Sequence, residues 1–117
     1  MINQILYIFI AYFIGSISFG ILASKIFNIT DPRAMGSKNP GATNVLRTGN
    51  KYAAVFTLLG DMLKATLVVG IALSLNFSGN YLTAVILAVL LGHMYPIFYN
   101  FKGGKGVATA LGILLAI

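Results

Sequence analysis

The sequence predicts an all-α membrane protein, a polytopic helical bundle with about three full spans and the start of a fourth, in a single transmembrane domain over residues 1–117. Hydrophobic residues make up 58% of the chain and charged residues only 9%. This composition leaves too little polar surface to cover a soluble domain of this size. The few charges are also concentrated in short regions, with long uncharged segments around them.

The spans are predicted from the length of the apolar segments. A bilayer core of ~30 Å needs about 20 helical residues, so residues 5–27 predict a first continuous helix. Residues 53–75 and 81–96 predict the second and third spans. Residues 107–117 give only ~17 Å of helix and predict the start of a fourth. A cleavable signal peptide is the alternative for the first segment, but residues 1–4 carry no basic charge and the apolar run is too long.

Two loops, residues 28–52 and 98–106, contain most of the basic side chains. By the positive-inside rule both loops are expected in the cytoplasm, which places the amino terminus outside. The second predicted span carries Asp61 and Lys64, which are three residues apart and therefore on one helical face. We expect them to form an ion pair that positions this span, and a proton relay is the alternative.

The net charge of +6 does not by itself indicate nucleic acid, because the basic residues adjoin apolar runs long enough to span lipid. Membrane lipid and a small anionic substrate are the expected partners, and nucleic acid is not. The chain has no cysteine, one histidine and two acidic residues. We therefore expect no metal and no cofactor. The sequence does not indicate an oligomeric state.

Glycines and two lysines are clustered just before the last apolar segment. Glycine lets backbone N–H groups approach an anion, and a helix N-terminus favours negative charge. The pattern predicts a phosphate cradle, although it is not a Walker A motif. The alternative is a flexible interfacial turn whose lysines reach lipid phosphates. The candidate residues are Lys102, Gly103, Gly104, Lys105, Gly106 and Thr109.

The first basic loop combines hydroxyl, amide and cationic side chains, a combination suited to a polyol phosphate. The alternative is a capped turn in which the same side chains bond to the loop backbone. His93 near the end of the third span is a candidate base or phosphate ligand, or else a structural hydrogen-bonding residue. The candidates in the loop are Ser37, Lys38, Asn39, Thr43, Asn44 and Arg47.

Taken together, these segments resemble the acyl-phosphate:glycerol-3-phosphate acyltransferase family, small polytopic enzymes that begin phospholipid synthesis in the bacterial inner membrane. The resemblance is carried by residues 31–33, 36–47, 60–64, 92–96 and 101–109. It implies transfer of a fatty acyl group from acyl phosphate to the first hydroxyl of glycerol-3-phosphate, which gives lysophosphatidic acid. It also implies a catalytic role for Ser37, Arg47 and Lys105, and binding of glycerol phosphate by the segment from Gly103 to Thr109.

Family members are longer and have a third motif with a histidine, an asparagine and a glutamate. Since this chain ends inside an apolar run, we expect it to be truncated at the carboxy terminus. Two other functions stay open. One is a small anion transporter component in which the Gly103–Gly104 turn lines the path. The other is an inactive membrane fragment whose loops meet anionic lipid.

Overall fold

The computed structural model describes residues 2–117, and within them all regular structure is helical. This confirms the predicted all-α class. The molecule extends 45 Å along its longest axis, which is close to the thickness of a bilayer with its headgroups. In chain order the helices are α1 (Ile2–Gly15), α2 (Phe19–Ile26), α3 (Ala42–Leu46), α4 (Lys51–Ser74), α5 (Gly79–Met94) and α6 (Val107–Ala116), with short 3-10 turns at Pro32–Ala34 and Ile97–Tyr99.

Two segments of the described chain are single helical runs long and apolar enough to cross a membrane. One is α4, whose 24 residues correspond to ~36 Å of helix. The other is α5 together with the turn that follows it, Gly79–Tyr99. Both agree with the predicted second and third spans to within a few residues. The ten residues of α6 form the short helix expected as the start of a fourth.

The prediction of one continuous first helix over residues 5–27 is wrong. The chain breaks between α1 and α2, whose axes differ in direction by 43°. Glycine and serine weaken a helix at this point, and the Ser18 hydroxyl caps α2 by accepting a hydrogen bond from the Ile21 amide at 3.3 Å. The two helices therefore form one broken span.

Small residues allow the spans to pack closely. Gly15 of α1 lies against the backbone of Val89, and Gly92 of α5 lies against α1 in turn. On the other side of α4, Gly112 of α6 lies against the backbone of Met62. A Cβ at any of these glycines would overlap the facing backbone. Close packing of this kind is the usual basis of helix association in lipid, where burial of apolar surface supplies little driving force.

The first loop is folded onto one end of the bundle. Within it, α3 packs against the beginning of α4, and Ala23, Val45 and Ala53 are completely buried between α2, α3 and α4. Burial of these side chains anchors the loop at the end of the bundle where α6 begins. The two basic loops consequently lie on the same side of the molecule.

Candidate anion-binding site

A cavity of about 320 Å³ opens between the first loop, α4 and the beginning of α6. This volume lies at the lower end of the range for small-molecule sites. The cavity has Arg47 on one wall and Lys105 on another, so two cationic groups far apart in sequence meet around one space. Eight of the predicted site residues line it: Ser37, Asn39, Thr43, Asn44, Arg47, His93, Lys105 and Gly106.

The first wall is held in shape by Asn44, which is only 2% exposed. Its side-chain amide donates to the carbonyls of Pro32 at 2.7 Å, Asn39 at 2.9 Å and Met35 at 3.1 Å. Its side-chain oxygen accepts a hydrogen bond from the Ser37 amide at 3.2 Å. The hydrogen-bonding capacity of Asn44 is therefore used within the loop, as the capped-turn alternative expected for this residue.

Other polar groups of the first wall are less engaged. Within residues 2–117, the Ser37 hydroxyl has only a long contact, 3.4 Å, from the Asn39 amide. Thr43 and Arg47 are exposed at the cavity. The Arg47 guanidinium lies over Gly36, where an added Cβ would come within 3.0 Å of a guanidinium nitrogen. Ser37, Thr43 and Arg47 are thus the groups of this wall that are free to bind a ligand.

The second wall differs from the expected glycine cradle. The Gly103 amide donates to the Met94 carbonyl at 3.0 Å, and the Gly104 amide donates to the His93 carbonyl at 3.2 Å. These two amides fasten the loop to the end of α5 and do not line the cavity. The residues of this segment that line the cavity come later, where Gly106 in a left-handed conformation (φ 89°) precedes α6 and Val107 and Ala108 begin it. Amides in the first turn of a helix have no acceptor inside the helix, and they favour a bound anion.

Three further predicted residues lie away from the cavity. Thr109 is completely buried, and its hydroxyl donates to the Asp61 carbonyl at 3.1 Å, so it joins α6 to α4. Lys38 and Lys102 are exposed but do not line the cavity. Each basic loop therefore has one cation that lines the cavity, Arg47 or Lys105, and an exposed lysine outside the lining, Lys38 or Lys102, which provides matched pairs for mutagenesis.

The floor of the cavity contains a buried charged cluster. The expected ion pair is present, with the Lys64 ammonium 3.2 Å from a carboxylate oxygen of Asp61 and both side chains 3% exposed. The same ammonium lies 3.0 Å from Nδ1 of His93. This third member was missed because it comes from another helix, 29 residues along the chain.

The cluster also completes the hydrogen bonds of the broken first span. The Lys64 ammonium donates to the Ile17 carbonyl at 2.8 Å, and the Phe19 amide points to the Asp61 carboxylate at 3.4 Å. A break in a membrane helix leaves backbone groups that water cannot reach, and neighbouring side chains have to supply partners. The sequence signal for this break was the group of small residues just before α2, namely Gly15, Ser16 and Ser18.

Outside the cavity lining the two loops are joined by an exposed contact. Arg33 forms a two-pronged ion pair with Asp31, at 3.0 and 2.7 Å, and its guanidinium lies 5.6 Å from the ring centre of Tyr99. The hydrogen bonds from Arg33 hold the pKa of the Asp31 carboxyl below its usual range. Tyr99 belongs to the second loop, so this contact connects the two walls at the surface.

These features define a multi-helix membrane protein with a cationic cavity at one end of the bundle, suited to a small anion. Among residues 2–117 no group of three or more acidic, histidine or cysteine side chains is placed to hold a metal ion. The polar groups that line the described site include charged side chains, hydroxyls and amides.

Comparison with known proteins identifies the family. The sequence matches the glycerol-3-phosphate acyltransferases over residues 5–117, and the chain belongs to this family. It is 59% identical to a glycerol-3-phosphate acyltransferase of Dechloromonas aromatica over 92% of this chain and 54% of the relative. It is 58% identical to one of Methylobacillus flagellatus, over 97% of this chain and 58% of the relative. The chain thus spans about half the length of these curated relatives.

The fold is also that of a solved family member. The crystal structure of PlsY (YgiH), an integral membrane glycerol 3-phosphate acyltransferase, in its glycerol 3-phosphate form matches with a TM-score of 0.89 at 44% identity. The match covers 97% of this chain and 57% of that one. The lysophosphatidic acid form of the same protein matches with a TM-score of 0.86 at 42% identity, over 97% and 56% of the two chains. The chain is accordingly a multi-pass membrane protein.

Proposed function

We propose that the cavity binds the phosphate of glycerol-3-phosphate, as part of an enzyme that transfers a fatty acyl group from acyl phosphate to the first hydroxyl. The products are lysophosphatidic acid and inorganic phosphate. The observation that carries this proposal is the convergence of Arg47 and Lys105 on one cavity beside the beginning of α6. Two cations and a helix N-terminus are the donors that a phosphate dianion needs.

The reaction calls for charge stabilisation and positioning. A bond forms between the glycerol hydroxyl oxygen and the acyl carbon, the bond from that carbon to the phosphate oxygen breaks, and the hydroxyl proton is taken up by the departing phosphate. Both substrates are anionic, so fixed cations offset their repulsion and stabilise the charge that develops in the transition state. Phosphate is a good leaving group, and holding the hydroxyl against the carbonyl supplies a large part of the rate enhancement. Ser37, Arg47 and Lys105 are the proposed catalytic residues.

The structural relatives support the choice of substrate, since the solved forms of PlsY are a glycerol 3-phosphate form and a lysophosphatidic acid form. The acyl phosphate donor is proposed because its phosphate suits the same cationic surroundings.

We also propose that the cavity opens to the cytoplasm at the bacterial inner membrane. The 117 residues contain no cysteine, so single cysteines introduced at exposed Lys38 and Asn80 test this orientation with a membrane-impermeant maleimide. Labelling of Lys38→Cys from the outside would overturn it.

The proposed function is tested by binding of labelled glycerol-3-phosphate to the chain in lipid nanodiscs. Loss of a charge-assisted hydrogen bond costs about 1.5–3 kcal/mol, so Arg47→Ala and Lys105→Ala should each weaken binding by roughly 10- to 100-fold. The matched variants Lys38→Ala and Lys102→Ala remove the same charges from the same loops outside the cavity, and they should weaken binding less than about threefold. Equal losses in all four variants would indicate non-specific attraction and contradict the proposal.

Catalysis is tested in the same nanodiscs with acyl phosphate, using the chain alone and the chain joined to the remaining carboxy-terminal segment of the Dechloromonas relative. Labelled lysophosphatidic acid that is absent from the Ser37→Ala and Arg47→Ala variants would support acyl transfer. Glycerol-3-phosphate bound no more tightly than inorganic phosphate, with no product from either protein, would favour the inactive fragment. Uptake of phosphate into vesicles without an acyl donor would favour the transporter.

A further inference from the structure

We propose that Lys64 is a positioning residue that fixes the proton of the His93 ring on Nε2, so that His93 donates a hydrogen bond to an anionic substrate oxygen instead of acting as a base. This inference deepens the proposed function, on which the identity of the anion rests. The protonation of the ring follows from contacts within the chain and can be measured without any substrate.

The first step is the donor count at Lys64. A lysine ammonium has three N–H donors and no acceptor. The three partners of Lys64 are the Ile17 carbonyl at 2.8 Å, Nδ1 of His93 at 3.0 Å and the Asp61 carboxylate at 3.2 Å. Each donor is therefore used once. Since the ammonium cannot accept, Nδ1 of His93 has to be the acceptor, which leaves the ring proton on Nε2.

The second step is the role of Asp61. The distance from its carboxylate to Nδ1 of His93 is 3.9 Å, too long for a direct hydrogen bond. In catalytic triads a carboxylate accepts from Nδ1–H, and the free nitrogen becomes the base. Here a cation occupies the position next to Nδ1, so Nδ1 is the acceptor and Nε2 is the donor, the opposite of their roles in the triad. Asp61 acts on His93 only through Lys64, whose charge it balances.

The third step is the surroundings of Nε2. Among residues 2–117, the polar contacts of the His93 ring all run through Nδ1, and none of the fully buried side-chain nitrogens and oxygens is without a partner. Nε2 is therefore accessible, and His93 lines the cavity together with Arg47 and Lys105. The Nε2 edge also lies against Gly104, where an added Cβ would overlap it. The glycine loop thus covers the ring, and we infer that the Nε2 donor serves the cavity that His93 lines.

The chain offers a direct measurement because His93 is its one histidine. The protein is labelled with ¹⁵N-histidine and purified by a tag that contains no histidine. In its NMR spectrum we expect one protonated and one unprotonated ring nitrogen, with the proton assigned to Nε2. Glycerol-3-phosphate or inorganic phosphate should shift the Nε2 signal. A proton on Nδ1 in the unliganded protein would overturn the inference, whether or not acyl transfer is observed.

The role of Lys64 is tested with Lys64→Met, and Lys51→Met is the matched control on the exposed first residue of α4. Lys64→Met should move the ring proton to Nδ1 in part or entirely, whereas Lys51→Met should leave it on Nε2. If the ring proton stays on Nε2 in Lys64→Met, the positioning role is refuted. If Lys64→Met does not fold, the tautomer of the parent protein still decides the inference.

The donor role of His93 is tested by binding of glycerol-3-phosphate. The amide of a glutamine side chain places an N–H donor near the position of Nε2. His93→Ala should weaken binding by about tenfold, and His93→Gln by less than about threefold. Equal binding by both variants would contradict donation to the ligand. His93→Gln is also introduced into the chain joined to the carboxy-terminal segment of the Dechloromonas relative. There, a loss of kcat with unchanged KM would instead identify His93 as a base.

Discussion

The two loops that form the cavity carry similar charge on the same side of the molecule, but they are ordered in different ways. The first loop is organised around the side chain of Asn44, which bonds to four backbone groups. The second loop is ordered through its backbone, because the amides of Gly103 and Gly104 donate to the last carbonyls of α5. One loop depends on a side chain, and the other depends on the absence of side chains.

This difference matters for how a membrane protein builds a polar site. The side-chain amide of Asn44 bonds to the loop backbone, whereas the side chains of Ser37, Thr43 and Arg47 remain available to a ligand in the cavity. The glycines bring the loop close enough to α5 to cover His93. In the first loop, stability should therefore be most sensitive to loss of a polar side chain. In the second loop, it should be most sensitive to replacement of a glycine by a larger residue.

The largest expected effect is that of Asn44→Ala, which breaks the first loop. It leaves one amide and three carbonyls without their partner, and we expect a loss of about 3 kcal/mol in stability. Asn39→Ala is the control, since the Asn39 side chain accepts one hydrogen bond, from the Gly41 amide at 2.8 Å, and its loss should cost about 1 kcal/mol. Thermal unfolding in detergent measures both. Similar melting temperatures for the two variants would refute the central role of Asn44.

A smaller effect is expected for Gly104→Ala in the second loop. The added methyl group would displace the His93 ring from its rotamer, at a cost of about 1 kcal/mol, and weaken glycerol-3-phosphate binding several-fold. Gly70→Ala in α4 is the control, because a Cβ there meets no neighbour and should stabilise the helix by up to about 1 kcal/mol. Unchanged binding and unchanged histidine ¹⁵N shifts in Gly104→Ala would show that the loop does not confine the ring.

The smallest effect is expected at the contact between the loops. Asp31→Asn should cost less than about 1 kcal/mol, because the ion pair with Arg33 is exposed. The pKa of the Asp31 carboxyl is lowered in the folded protein, so its contribution is complete above the pKa of an ordinary aspartate, about pH 4, and is lost as the pH falls further. Melting temperatures at pH 7 and pH 3 should therefore differ less in Asp31→Asn than in the parent. An equal pH dependence would contradict this assignment.

The sequence predicted the helical membrane class, the second and third spans and the pairing of Asp61 with Lys64. Each depends on local pattern, namely the length of apolar runs and the spacing of three residues on a helix. It also selected residues that lie far apart in the chain, and Ser37, Arg47 and Lys105 line one cavity in the structure. The break before α2 was missed because hydropathy alone does not distinguish a continuous helix from a broken one.

What the sequence determined by itself was that the solvent of this protein is lipid, the positions of its second and third spans, and the residue types that its loops carry. Only the tertiary structure decided which donors face the cavity, since Gly103, Gly104 and Asn44 are as polar as their neighbours but bond within the protein. It also decided that Lys64 meets His93 from another helix. The physical reason is that local patterns fix burial and periodicity, whereas the choice among equivalent hydrogen-bond partners depends on which backbones come within 3 Å or so of each other.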